Sequence, residues 1–155
     1  LKMARKDPVQ TGAPIALTRI VKQPIERVFH FWSDAETLKK WWRPQGFKMV
    51  NAYVEFRIGG EYTFELLTPE GKLVMQYGQF QEITPPTQLV FTNKCEARDG
   101  CEQETLVRVE LAPKGNSTEI SVKHTLMPDP KCWAQAEQIW KELLGLLEQE
   151  LARKG

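Results

Sequence analysis

Two histidines, three tyrosines and three cysteines are the side chains of this sequence best suited to acid–base, ligand-binding or redox chemistry. His124 closes the run S117-T-E-I-S-V-K-H124, where alternation groups Ile120, Val122, His124 and Leu126 on one face against Glu119, Ser121 and Lys123. A histidine on an apolar face can orient a ligand, act as a general base, or sit hydrogen-bonded in a core. No inward carboxylate or cysteine partner is evident, so structural or ligand-orienting use outranks catalysis. Tyr62, in G59-G-E-Y-T-F64, shares a face with Phe64 and Leu66 and is the other candidate acid or base. His30 falls opposite Val28, Phe29 and Trp32 on a helical face, so exposure is expected. Two such separated histidines without a carboxylate at ligand spacing do not make a metal site. Glycine-rich phosphate loops, Ser-His-Asp order motifs and paired carboxylates in an apolar context are missing, so no nucleophile and no cofactor are expected.

Cys95, Cys101 and Cys132 are an odd set with no C-x-x-C pair, which suits neither a disulfide framework nor structural zinc. Reduced thiols in a reducing, cytoplasmic compartment are the expectation. Cys95 and Cys101 flank the Asp99-Gly100 turn and could meet across a hairpin, but nothing nearby in sequence lowers a thiol pKa.

The remaining candidates are apolar. Trp41 and Trp42 end a helix side by side, where one can pack inward and the other, taken as Trp42, can roof a cavity. Phe47 follows that turn. Along 73–83 the alternation offers two sets, Leu73, Met75 and Tyr77 or Val74, Gly78 and Phe80, and Tyr77 is taken as lining. Phe91, Val109, Val122, Trp140 and Leu144 complete the wall with Tyr62, Phe64 and His124. Aromatic and aliphatic walls with a few fixed polar groups are typical of small-molecule pockets, although the same residues could fill a solid core.

The elements that must position these residues can be read from periodicity. I15-A-L-T-R-I-V21 is short, β-branched and stopped by Pro24, so a strand is expected there. Ile25, Val28, Phe29 and Trp32 recur at helical spacing after Pro24. S33-D-A-E36 reads as a capping box opening a second helix with Leu38, Trp41 and Trp42, ended by Arg43-Pro44 and Gly46. From 47 to 126 the period is two, with strands expected at about 47–58, 61–67, 73–83, 88–95, 103–112 and 118–126. Their turns fall at Gly59-Gly60, T68-P-E-G71, Pro85-Pro86, R98-D-G100 and K114-G-N116, and short connections predict an antiparallel meander. Gly59-Gly60 suggests a tight bend or bulge that curves the sheet. Asp129-Pro130 opens a helix reaching nearly to the end of the sequence, with Trp133, Ala136, Ile139, Trp140, Leu143, Leu144, Leu147 and Leu151 at helical spacing.

The 155 residues fit one domain, and 21 Lys plus Arg against 20 Asp plus Glu leave little net charge for nucleic-acid binding. No run approaches the ~20 apolar residues of a membrane span, so a soluble protein is expected. Residues 1–14, polar and holding Pro8, Gly12 and Pro14, read as a cloning remnant or frayed tail, and 15–155 as the domain.

In order and spacing, several segments together resemble the START-like helix-grip (SRPBCC) superfamily. They are P24-I-E-R-V-F, S33-D-A-E-T-L38, W41-W-R-P-Q-G46, G59-G-E-Y-T-F64, the Gly71 turn, G78-Q-F-Q-E-I83-T-P85, L89-V-F-T92, S117-T-E-I-S-V-K-H124 and Trp140. Within it the sequence is similar to single-domain, bacterial-type members of the family named for homology to the activator of the heat-shock ATPase, over about residues 15 to 151. The resemblance implies an α+β helix-grip fold of β-α-α-β6-α order, a curved antiparallel sheet wrapped around a long C-terminal helix, and an internal cavity between them. It implies a hydrophobic or aromatic small molecule as ligand; the alternatives are a module modulating a chaperone ATPase and an enzyme using His124 or Tyr62. A monomer and a homodimer are both compatible with it. Two departures stand out. The segment N93-K-C-E-A-R-D-G-C-E102 replaces the tryptophan-bearing strands of the ATPase activators, which also carry a second domain, so their co-chaperone role does not transfer. Ile139 stands before Trp140 where members commonly carry Gly, which narrows or reshapes the space.

Overall fold

In the computed structural model, which describes residues 14–96, 101–127 and 129–153, the alternating stretches become a seven-stranded antiparallel sheet. The strands are β1 (Ile15–Val21), β2 (Lys48–Val54), β3 (Glu61–Leu67), β4 (Leu73–Thr84), β5 (Gln88–Cys95), β6 (Thr105–Lys114) and β7 (Ser117–Thr125). Each strand from β2 to β6 pairs with the next, and β1 pairs with the far edge of β7, giving the order β1-β7-β6-β5-β4-β3-β2. The expected meander and α+β helix-grip class therefore hold. Residues 1–13 of the tail read at 1–14, and the turn read at 98–100, lie outside the described residues.

The Gly59-Gly60 pair bends the β2–β3 connection back onto β4. Gly59 has φ +84°, a Cβ on Gly60 would run into the Glu55 carbonyl, and Phe80 N donates to Gly60 O at 2.9 Å. A register shift between Phe80 and Glu82 adds a bulge in the same strand, increasing local bend.

Helix α1 (Ile25–Ser33) starts after Pro24 and buries Val28, Phe29, Phe31 and Trp32. Helix α2 (Ala35–Trp41) buries Leu38 and Trp41. The capping box expected on Ser33 and Glu36 does not form. Asp34 has the extended backbone of a cap and accepts from Thr37 N at 3.0 Å, while the Ser33 hydroxyl donates to His30 O within α1. The cap has moved one residue along the chain, so Asp34 serves the Thr37 amide in place of the Glu36 amide that Ser33 would have served.

Helix α3 (Pro130–Ala152) begins as read, with Asp129 accepting from Cys132 N at 2.8 Å and Pro130 at the first position. Its 23 residues span ~34 Å. Ala136, Trp140, Leu143, Leu144, Leu147 and Leu151 are buried. Arg27 reaches from α1 to donate to the carbonyls of Leu151 and Arg153 at the helix end, and Arg19 on β1 pairs with Glu148 at 2.8 Å.

Two expectations fail at the join between sheet and helix. Leu126 does not continue the inner face of β7: the strand stops at Thr125, Leu126 turns to φ +69° and is exposed, and Met127 is buried instead. The thiols are not all reduced, because Cys101 and Cys132 form a disulfide. It joins the start of the β6 approach to the first turn of α3, beside buried Ile15, Met127 and Ala136, and Cys95 is a buried cysteine outside this disulfide. Linear spacing missed the pair because it is the docking of α3 that brings the two residues together. The disulfide removes the thiol-based reason for expecting a reducing compartment. Among the described residues, no helix is long and apolar enough to cross a membrane.

Candidate functional site

The inner face of the sheet beneath α3 is apolar except for a contiguous row of buried polar groups. Its origin is Gly78 on β4, which lies opposite Tyr62 on β3. A Cβ there would collide with the Thr92 carbonyl and press on the Tyr62 ring, so glycine lets that ring lie across the strand. The β4–β5 ladder is locally altered at this point: Gln79 N donates to the Thr92 hydroxyl at 2.9 Å, and the Thr92 carbonyl receives the Tyr62 hydroxyl at 2.7 Å.

From there the row runs in one direction. Trp42 Nε1 donates to Gln76 Oε1 at 2.8 Å, and Gln76 Nε2 donates to Asn93 Oδ1 at 2.7 Å. The Tyr62 hydroxyl is also 3.0 Å from Asn93 Oδ1. On the other side Trp140 Nε1 donates to His124 Nδ1 at 2.8 Å, His124 Nε2 lies 2.7 Å from the Thr105 hydroxyl, and that hydroxyl donates to the Asn93 carbonyl at 3.1 Å. An indole N–H can only donate, so His124 Nδ1 is the acceptor and the neutral ring carries its hydrogen on Nε2. Gln76, Asn93, Thr105 and His124 are all at least nine-tenths buried. Burial first, and the electrostatic influence of the neighbouring Cys95 second, push the Tyr62 phenol well above its usual pKa.

Aromatic rings wall this row. Trp42 meets Trp140 edge-to-face at 5.5 Å between centroids, Trp32 stacks on Trp140 at 6.1 Å, and Phe64 packs on Trp42 at 5.7 Å. Two spaces remain between them. One, of about 40 Å³, is bounded by Trp42, Phe47, Gln76, Phe91, Asn93, Cys95, His124 and Trp140, with Gln45 and Ile139 toward its mouth. The other, of about 20 Å³, lies among Trp32, Trp42, Tyr62, Phe64, Phe80 and Phe91. These hold a few waters and fall far short of the ~300 Å³ at which small-molecule pockets begin. Gln45 and Ile139 also line a surface groove with Gln135, Gln138 and Glu142, so the larger space faces outward there. Gln45 N donates to Glu142 Oε1 at 2.9 Å, fastening the Pro44–Gly46 turn to α3 across that mouth.

Residues 22–152 match the family described as Activator of Hsp90 ATPase homolog 1-like protein. The chain belongs to that family. Among solved structures, a Silicibacter pomeroyi protein is 26% identical with TM-score 0.79, covering 90% of this chain and 98% of its own. A Chromobacterium violaceum protein is 24% identical with TM-score 0.82, covering 91% and 98%, and an Arthrobacter aurescens protein is 20% identical with TM-score 0.80, covering 97% and 91%. No curated protein matches. At these identities the second and third likenesses speak for the fold alone.

Within this Activator of Hsp90 ATPase homolog 1-like domain, the candidate residues separate into groups. Trp42, Phe47, Phe91, His124 and Trp140 line the larger space, and Tyr62 and Phe64 join Trp42 and Phe91 around the smaller. Val109, Val122 and Leu144 are buried in the surrounding core and line neither. Tyr77 is on the opposite side of the sheet, partly exposed, in register with Thr63 and, beyond it, Tyr53. Its selection failed because β4 reverses the usual polarity, sending Gln76 inward and the tyrosine out. Gln76, Asn93 and Cys95 were overlooked, although parity with Val74 and Phe80 points to Gln76, and parity with Phe91 points to Asn93 and Cys95. His30 is exposed, as its helical position required.

Proposed function

We propose that the domain encloses a small hydrophobic or aromatic molecule between the inner face of the sheet and α3, admitted past Gln45 and Ile139. The observation carrying this reading is the buried polar row Gln76, Asn93, Thr105 and His124 on an otherwise apolar wall, next to residual space that faces outward. A core built only for stability gains little from such a row, because every polar group in it must be satisfied at a cost that apolar side chains avoid. Ligand sites combine just these ingredients. The small free volume means that the Pro44–Gly46 turn and α3 must separate locally for anything larger than water to enter.

Acid–base catalysis is the weaker reading. Both ring nitrogens of His124 are engaged, and the Tyr62 phenol is held protonated by its burial. A chaperone-ATPase partner would need an exposed, ordered patch; the Tyr53–Thr63–Tyr77 row on the outer face is the place to mutate in a pull-down that tests for one.

Native mass spectrometry of gently purified protein, with tryptophan fluorescence titrations against aromatic and aliphatic libraries, tests the ligand reading. Retained adducts or saturable quenching of Trp42 and Trp140 are expected. Absence of both, with only water found in the space at high resolution, would refute it.

A further inference from the structure

The hydrogen bonds of the polar row fix which of its valences remain unspent. The Trp42 indole donates, so the Gln76 atom facing it is Oε1, and the atom Gln76 presents to Asn93 is Nε2. The Asn93 atom receiving it is therefore Oδ1, and that oxygen also has the Tyr62 hydroxyl beside it. Flipping either amide would set N–H against N–H. Oδ1 is filled, the Asn93 carbonyl is taken by Thr105, and both His124 nitrogens are occupied. Asn93 Nδ2 has no protein acceptor among the described residues, although Asn93 is 7% exposed and lines the larger space. Its hydrogens, and the second hydrogen on Gln76 Nε2, are the polar valences left facing inward.

Nδ2 is not among the fully enclosed unpartnered side-chain atoms of the described residues, which are Arg27 Nε, Trp32 Nε1 and Arg43 Nε, so it opens onto the space and its hydrogens can meet an oxygen or nitrogen lone pair there. Among the described residues no charged side chain lines the space, so an ionised group there would lie unpaired in an apolar site. We infer that Asn93 is the specificity-determining residue, and that the molecule held is neutral, with an apolar aromatic body and a hydrogen-bond acceptor such as a carbonyl oxygen directed at Asn93 Nδ2. This rests on the ligand reading above and narrows it to one class.

The test uses acetophenone and its near-isostere α-methylstyrene, which replaces the carbonyl oxygen with a methylene, and 1-phenylethylammonium as the charged control. Binding is followed by tryptophan fluorescence and by the side-chain amide signals of Asn93 in nitrogen-15 NMR spectra of the wild-type chain. Acetophenone is expected to shift the Asn93 Nδ2 signals, α-methylstyrene to bind without shifting them, and the ammonium to be excluded. Asn93→Leu should weaken acetophenone on the order of tenfold while leaving α-methylstyrene no weaker. The NMR comparison needs no variant, so a poorly folded Asn93→Leu leaves it intact. If acetophenone and α-methylstyrene perturb Asn93 alike, or the ammonium binds as well as the ketone, the acceptor class is wrong while the ligand reading stands. If none of the probes binds, the proposed class is wrong, and the ligand reading falls with it only where the native mass spectra and library titrations are also blank.

Discussion

The Trp140 indole donates to His124 Nδ1 at 2.8 Å, so the docking of α3 decides the tautomer of a histidine on β7. Nitrogen-15 NMR should show His124 Nδ1 as the unprotonated, acceptor nitrogen and Nε2 as the protonated one. Trp140→Phe keeps a ring but removes the donor, leaving a buried lone pair unmet at a cost of about 1–3 kcal/mol. Urea denaturation measures it. An Nδ1–H tautomer in the wild-type chain would contradict the direction given to the whole row.

The Tyr62 phenol makes a prediction at high pH. Its folded-state pKa is raised, so above ~pH 10 the unfolded chain gives up this proton while the folded chain keeps it. The contribution of this group is therefore intact below that pH and lost as the pH climbs toward the folded value. Stability should decline on the alkaline side, and Tyr62→Phe should flatten the decline while lowering stability at neutral pH. Phenolate absorbance followed alongside unfolding checks this: Tyr62 should ionise only as the fold is lost.

The Cys101–Cys132 bridge closes a separation of 31 residues. Chain entropy alone gives such a loop about 3–4 kcal/mol of stabilisation. Reduction, or Cys101→Ser with Cys132→Ser, should lower Tm on the order of 10 °C. Calorimetry with and without reductant measures the difference, and equal melting of both forms would refute a stabilising role.

Periodicity made the fold legible because each strand and helix declares its buried face locally, as Ile25, Val28, Phe29 and Trp32 do on α1 and Trp140, Leu143, Leu144 and Leu147 do on α3. The site was less legible for the same reason. Hydrophobic alternation selects apolar side chains, and the groups that distinguish this wall are Gln76 and Asn93, polar residues pointing inward. Their role depends on Trp42, which is 34 residues from Gln76 in sequence. The disulfide was hidden in the same way, since Cys101 meets Cys132 only through α3 docking.

Two buried tryptophans of the α1–α2 pair offer a matched comparison. Trp41 Nε1 donates to the Phe31 carbonyl at 2.9 Å, whereas Trp32 Nε1 has no hydrogen-bond partner among the described residues, and both rings are almost fully buried. Replacing either with Phe removes a similar amount of ring and opens a similar gap. The polar consequences are opposite: Trp41→Phe leaves the Phe31 carbonyl with only the long 3.5 Å contact from the Thr37 hydroxyl, while Trp32→Phe removes an unmet donor. Trp41→Phe should therefore cost about 1–2 kcal/mol more than Trp32→Phe in chemical denaturation. Equal losses would mean that Trp32 finds an acceptor, such as a water in the adjoining 20 Å³ space, and that its apparent vacancy is filled in solution.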